Sequence, residues 1–247
     1  MTEYKAADLV QSAPRKVLNY GDTGTYKTRS LLTLPPSAFP IYVLDFDRGF
    51  WSIINEFPKP LQDEIRVWIP KRLDSSGTPI AYESAKNKIE ELYNDPTWKT
   101  IIVDSGTLLF DEIVSFGAAK GMTKSKTRIS GVPIPTQNDY GTAHRLTVNF
   151  LMVLVESERN VIVNCHESVI EDDRGAMKGG PAMAKRLSEI APRRFDEILH
   201  SVVKGGEPQW ETRGKGIFQS RTRSNLDEVS AQDYSLIFKN PPSPLSS

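Results

Sequence analysis

The chain is poor in the features that staple or anchor proteins. One cysteine, Cys165, stands among 247 residues, which excludes an intrachain disulfide and a cysteine-rich zinc site. Long apolar runs are missing: the longest, Phe150 to Val155, has six residues, against the ~20 of a membrane-spanning helix. The opening stretch MTEYKAADLV carries acids and no apolar core, so no secretory leader is read and a cytoplasmic, membrane-free setting is expected. An excess of charge of either sign is absent too. Lys and Arg number 31, Asp and Glu 31. No overall basic field draws the chain to nucleic acid, so any such contact has to come from a local patch.

What is present suffices for a folded body, since 38% of the residues are hydrophobic. No internal repeat or linker-like stretch divides the chain. The expected plan is a polar lead-in over 1–13, one domain over 14–239, and a loose Pro- and Ser-rich tail over 240–247. Apolar runs predict strands at Lys16–Tyr20, Ile41–Asp45, Arg66–Ile69, Thr100–Asp104 and Asn160–Asn164. Helices are expected over Lys27–Leu34 (stopped by Pro35-Pro36), 81–93, Leu108–Ala119 and 140–158. A long loop is expected over 117–138. This alternation predicts an α/β fold, with a mostly parallel central sheet and helices on both faces.

Between the first strand and first helix stands Gly21-Asp22-Thr23-Gly24-Thr25-Tyr26-Lys27-Thr28. The first glycine, the lysine and the threonine match the phosphate-loop pattern G-x-x-x-x-G-K-[S/T], whereas Tyr26 replaces its second glycine. In such a loop successive N–H groups wrap phosphates, the lysine reaches the β- and γ-phosphates, and the threonine holds Mg²⁺. The ligands implied are ATP and Mg²⁺, with Gly21 to Thr28 as the cradle. The other reading of these residues is an ordinary turn with an exposed lysine.

Thr100-Ile-Ile-Val-Asp104-Ser105 is an apolar strand ending in an acid, placed to hold Mg²⁺ together with Thr28. Lys27 and Asp104 stand 77 positions apart, which leaves room for a further strand, Ile41–Asp45. Hydrolysis needs a carboxylate to take a proton from water. Ser105 occupies the position after Asp104, so the base is sought in Asp45-Phe46-Asp47. Asp47 is the first choice and Asp45 the second.

GDTGTYKT, YVLDFDRGFWS, TIIVDSGTLL and NVIVNCHES follow one another as in RecA-like P-loop ATPases. Over roughly residues 15–225 the chain resembles the phage-encoded nucleotide-binding proteins of that class, including the Sak-type single-strand annealing ATPases. The resemblance implies a RecA-like core, an ATPase, and a role in phage DNA recombination on single-stranded DNA in the host cytoplasm. It puts His166 in the place of a γ-phosphate sensor. It puts DNA-facing loops at 117–138, with Lys120, Lys124, Lys126 and Arg128, and at 167–180, where acids outnumber bases. It also implies a homo-oligomer, ring or filament, in which Arg221 or Arg223 would reach a neighbour's nucleotide. With zero net charge, a single-strand-binding protein as partner would supply part of the DNA affinity. Two other readings stand beside this one: a nucleotide switch or loader with little hydrolysis, and a P-loop small-molecule phosphotransferase.

Overall fold

Strands that alternate their side chains between two covered faces make up the centre of the molecule. The computed structural model describes residues 14–120, 128–129, 132–171, 174–183 and 185–238. Its strands are β1 (Lys16–Gly21), β2 (Ile41–Asp45), β3 (Ile65–Trp68), β4 (Thr100–Asp104), β5 (Arg128–Ile129), β6 (Val132–Pro133), β7 (Asn160–Glu171), β8 (Met177–Pro181), β9 (Glu197–Lys204), β10 (Glu207–Glu211) and β11 (Val229–Ala231). The main sheet runs β11-β10-β9-β1-β7-β4-β2-β3, and β8 pairs with the outer half of β7. From β9 to β3 all pairings are parallel, whereas β10 and β11 add antiparallel strands at one edge. Strand β7 therefore separates the phosphate-loop strand β1 from the acid-bearing β4. The extra strand expected from the 77-residue spacing, β2, lies on the far side of β4 instead.

The parallel strands are buried on both sides, which explains their near-continuous apolar sequences. Ile101 and Val103 of β4 and Val161, Val163 and Cys165 of β7 face one core cluster. That side is covered by α2 (Ala81–Asn94), α3 (Gly106–Ala119) and α4 (Gln137–Glu156). Tyr82, Ala85, Ile89 and Leu92 recur three or four apart on α2 and form its buried stripe. Val43, Ile102 and Ile162 face the other cluster. Its cover is thinner: the short helix α1 (Lys59–Gln62) and 3₁₀ turns at Arg29–Thr33, Phe50–Ser52 and Tyr234–Leu236. A further short helix, α5 (Lys185–Ile190), follows β8.

Three expectations change. The segment after the phosphate loop is a 3₁₀ helix, Arg29–Thr33, and not an α-helix. Ser30 and Thr33 turn their hydroxyls onto the carbonyls of Lys27 and Ser30. Leu34 is already extended ahead of Pro35, so local side-chain bonds and proline restriction leave no room for a longer helix. Within 117–138, α3 runs to Ala119, β5 and β6 pair antiparallel, and α4 starts at Gln137. The early start follows from a capping box, in which the Thr136 N–H donates to Asp139 Oδ2 at 2.6 Å. Much of 167–180 is a hairpin, because β7 continues to Glu171 and pairs antiparallel with β8.

No helix among the described residues is long and apolar enough to cross a membrane. Thr136→Ala removes one half of the capping box. It should lower stability by about 0.5–2 kcal/mol, measured as a lower urea midpoint at an unchanged slope.

Candidate active site

The loop that follows β1 is shaped by two kinds of constraint. At Gly21 a β-carbon would come within 2.3 Å of the Ser201 carbonyl oxygen, so β1 and β9 approach too closely there for any side chain. Tyr26 sits at φ 63°, the left-handed region that a glycine adopts freely. The chain thus keeps the backbone conformation the missing glycine would supply, at a strain of about 1–2 kcal/mol. The Tyr26 ring, 46% exposed, avoids the core.

Lys27 is folded onto its own loop. Its Nζ donates to the carbonyls of Gly21 (2.8 Å) and Asp22 (2.7 Å) and to Thr25 Oγ1 (3.2 Å). Burial pushes this amine below the ordinary lysine value, against the pull of Asp104. From the C-terminal side, Gln232 Nε2 donates to the Thr25 carbonyl at 2.9 Å and ties the loop to the sheet edge.

Beneath the loop a polar row crosses four neighbouring strands. Asp45, Asp104, Asn164 and Asn19 stand in register on β2, β4, β7 and β1, and all four are buried. The Thr28 hydroxyl donates to Asp104 Oδ2 at 2.7 Å. Asn19 donates to Asn164 Oδ1 and accepts from Ser201 Oγ. Neither oxygen of Asp45 has a hydrogen-bond partner among the described residues. Just past β2, Asp47 Oδ1 accepts the Gly49 N–H at 2.7 Å, and Arg72 Nη2 donates to the Phe46 carbonyl at 3.2 Å. Burial, reinforced by the neighbouring carboxylates Asp104 and Asp47, pushes Asp45 up to about 7. Asp104 is raised by burial and by Asp47, with Thr28, Asn164 and Lys27 opposing.

Above this row lies a cleft of about 330 Å³ whose lining includes Lys27, Thr28, Asp47, Asp104, Ser105 and His166. The His166 N–H donates to Thr107 Oγ1 at 3.0 Å, which pins the middle of β7 to the start of α3. The cleft lies at the carboxyl edge of the parallel strands, where ligands bind in open α/β sheets. Of the expected site residues, the structure thus gathers the loop, Asp47, Asp104 and His166.

The remaining expected residues lie elsewhere. Lys120 sits 3.7 Å from Glu83 and 5.4 Å from the Phe116 ring centre, against the helical layer. Lys124 and Lys126 fall outside the described residues, and Arg128 is described only as backbone in β5. Arg221 donates to the carbonyls of Pro192, Arg193 and Phe195 of its own chain. Arg223 pairs with Asp196 at 2.7 Å.

One group has no counterpart in the motifs. His200 Nε2 meets Glu167 Oε2 and its Nδ1 meets Glu211 Oε2, each at 2.9 Å, and Lys204 Nζ reaches Glu211 Oε1 at 2.5 Å. Tyr20 and Phe218 stack on the imidazole with ring centres at 5.1 and 4.1 Å. Glu167 follows His166, and Tyr20 precedes Gly21, so this network buttresses both sides of the cleft.

The donors suit the ligands that the motifs imply. Mg²⁺ takes hard oxygen donors, and the Thr28 hydroxyl and the Asp104 carboxylate are such donors lining one cleft. The raised carboxyls follow first from burial and then from the neighbouring acids on one sheet edge.

The sequence profile of AAA_24, described as an AAA domain, matches residues 13–227. The chain belongs to the AAA_24 family. This AAA domain carries a mostly parallel central sheet with helices, and the family supports nucleotide binding and hydrolysis. A comparison with curated proteins finds no match. Among solved structures, the chain is similar to a prototypical ATPase from the type III secretion system of pathogenic bacteria. There the identity is 12%, the TM-score 0.47, and coverage 77% of this chain and 52% of that one. It is similar to the ATPase EscN of enteropathogenic E. coli, described in complex with its central stalk EscO (11%, TM-score 0.47, 77% and 42%). It is also similar to the KaiC-like protein PH0186 of Pyrococcus horikoshii OT3 (12%, TM-score 0.43, 81% and 85%). The chain spans about half the length of the first two.

Two expectations follow. Thr28→Ala leaves the buried Asp104 carboxylate without its donor and should cost about 1–3 kcal/mol of stability, read by urea denaturation without Mg²⁺. The second concerns pH. Asp45 and Asp104 hold a proton more tightly folded than unfolded, so their contribution is complete below about pH 4 and drains away as pH rises through 7. The melting temperature of the free protein should therefore fall between about pH 5 and pH 8. Asp45→Asn should flatten that fall.

Proposed function

We propose that this AAA domain is a Mg²⁺-dependent ATPase that acts on single-stranded DNA in phage recombination or annealing. The observation that carries the ATPase part is the 2.7 Å bond from Thr28 Oγ1 to Asp104 Oδ2, with Lys27 and Asp47 lining the same cleft. Bound Mg²⁺ would offset phosphate charge, held by Thr28 and Asp104. Lys27 would exchange the loop carbonyls for phosphate oxygens. Asp47, fixed by the Gly49 N–H, would take the proton of the attacking water on a carboxylate oxygen. His166 would donate to the γ-phosphate. The DNA part, the phage branch and a homo-oligomeric ring or filament are supported by the resemblance of the four motifs. In such an oligomer Arg223, whose guanidinium lies on the surface in a pair with Asp196, is a better candidate than Arg221 to reach a neighbour.

A second reading has its own observation. Lys27 is satisfied within its loop, and the following segment is only a five-residue 3₁₀ helix. Both weaken the phosphate cradle and favour a nucleotide switch with little turnover.

The test separates binding from chemistry. Asp47→Asn should retain ATP affinity within a few-fold while turnover falls by about 10²–10⁴-fold, measured with a fluorescent ATP analogue and phosphate release. Unchanged turnover would remove Asp47 as the base. Lys27→Ala should abolish binding of the analogue.

A further inference from the structure

We propose that a basic cleft beside β8 and β9, flanked by Arg193, Arg194, Arg213 and Lys215, binds the phosphate backbone of single-stranded nucleic acid. The inference deepens the DNA part of the reading above and rests on it, but it moves the contact away from the loops that the motifs suggested.

The charge is concentrated by the sequence. Residues 212–226 hold four cations and no acid, in a chain whose charges sum to zero. The segment is firmly held. The Gly179 N–H of β8 donates to the Ile217 carbonyl at 2.9 Å, and Arg221 exchanges two 2.9 Å backbone bonds with Ile198 of β9. Arg221 also donates to the carbonyls of Pro192, Arg193 and Phe195. This anchors the turn that presents Arg193 and Arg194.

Between these elements lies a cleft of about 540 Å³, lined by Lys178, Arg193, Gly214, Gly216, Ile217 and Phe218 among others. Arg194, Arg213 and Lys215 are next to lining residues in sequence. Lys178 pairs with Glu189 and Arg223 with Asp196. Arg193, Arg194, Arg213 and Lys215 are exposed and have no acidic partner among the described residues. Four unpaired cations, Arg193 lining the cleft and the other three on exposed positions next to its lining residues, raise the local concentration of anions.

The apolar lining points to the class of anion. Met177 is 50% exposed and Ile217 39% exposed at the cleft. An acidic peptide would use the cations and leave these side chains wet. A single strand offers phosphates to the cations and flat apolar bases to the side chains between them. At Gly216 a β-carbon would meet nothing within 4 Å, so the backbone there is open to the approach of phosphate oxygens.

The experiment measures binding of a fluorescein-labelled oligothymidylate to the full chain by anisotropy across a salt series. Wild type is compared with the quadruple variant R193A/R194A/R213A/K215A. The four substitutions are exposed, so the melting temperature should hold. A single-strand phosphate contact contributes about 0.7 to the slope of log K against log salt, so the slope should drop by close to 3. A variant with the three arginines changed to lysine should retain most of the affinity. Equal affinity and slope for wild type and the quadruple variant would overturn the cleft while leaving DNA binding intact. Binding of polyglutamate in preference to the oligonucleotide would overturn it in favour of an acidic protein partner. No oligonucleotide binding by wild type would overturn both the cleft and the DNA part of the proposed function. ATP turnover in the same samples reports separately on the ATPase part.

Discussion

The site depends on a row of polar side chains laid across the middle of an apolar sheet. Asp45, Asp104, Asn164 and Asn19 occupy in-register positions on four adjacent parallel strands. Burying such groups is costly unless each finds a partner. Asp104 finds Thr28, and Asn19 finds Asn164, Ser201 and Tyr234. Asp45 finds none among the described residues. The apolar strand bodies below the row fix its register, because a one-residue slip would turn the carboxylates to the opposite face. Stability and function therefore pull against each other at this edge. The core holds the carboxyls of Asp45 and Asp104 close together with the exposed Asp47 beside them, and a proton or a cation relieves their repulsion.

The phosphate loop shows a similar tension. Tyr26 keeps a left-handed backbone that its side chain disfavours, and Lys27 spends its donors on the loop's own carbonyls. The loop is thus self-satisfied without a ligand. Phosphate oxygens have to replace contacts that already exist, so the differential between the two sets determines how tightly nucleotide is held. The Glu167–His200–Glu211 network lies behind both β1, which leads into the loop, and β7, which carries His166. It gives the two a common rigid support.

Much of this could be read in the sequence where one physical signal dominated. The strands β2 and β4 were legible from apolar runs ending in acids. Lys27, Thr28 and Asp104 were legible from spacing, and Asp47 from its place after a strand. The edge strands β9 to β11 were not. Strand β9 buries Glu197, His200 and Ser201, which break its apolar pattern, and β10 has Trp210 as its one large apolar residue. Glu167, His200 and Glu211 are scattered along the chain and meet only through strand pairing. The 3₁₀ segment escaped notice because Ser30 and Thr33 compete locally with the helical ladder. That competition is invisible to hydrophobic periodicity.

The most direct test of the account is steady-state ATP turnover by the intact protein, with and without Mg²⁺ and with and without oligothymidylate. The expected result is turnover that requires Mg²⁺ and rises when the oligonucleotide is added, since both ligands would act on one sheet. Tight ATP binding with no turnover under any of these conditions would contradict it and leave a nucleotide switch in its place.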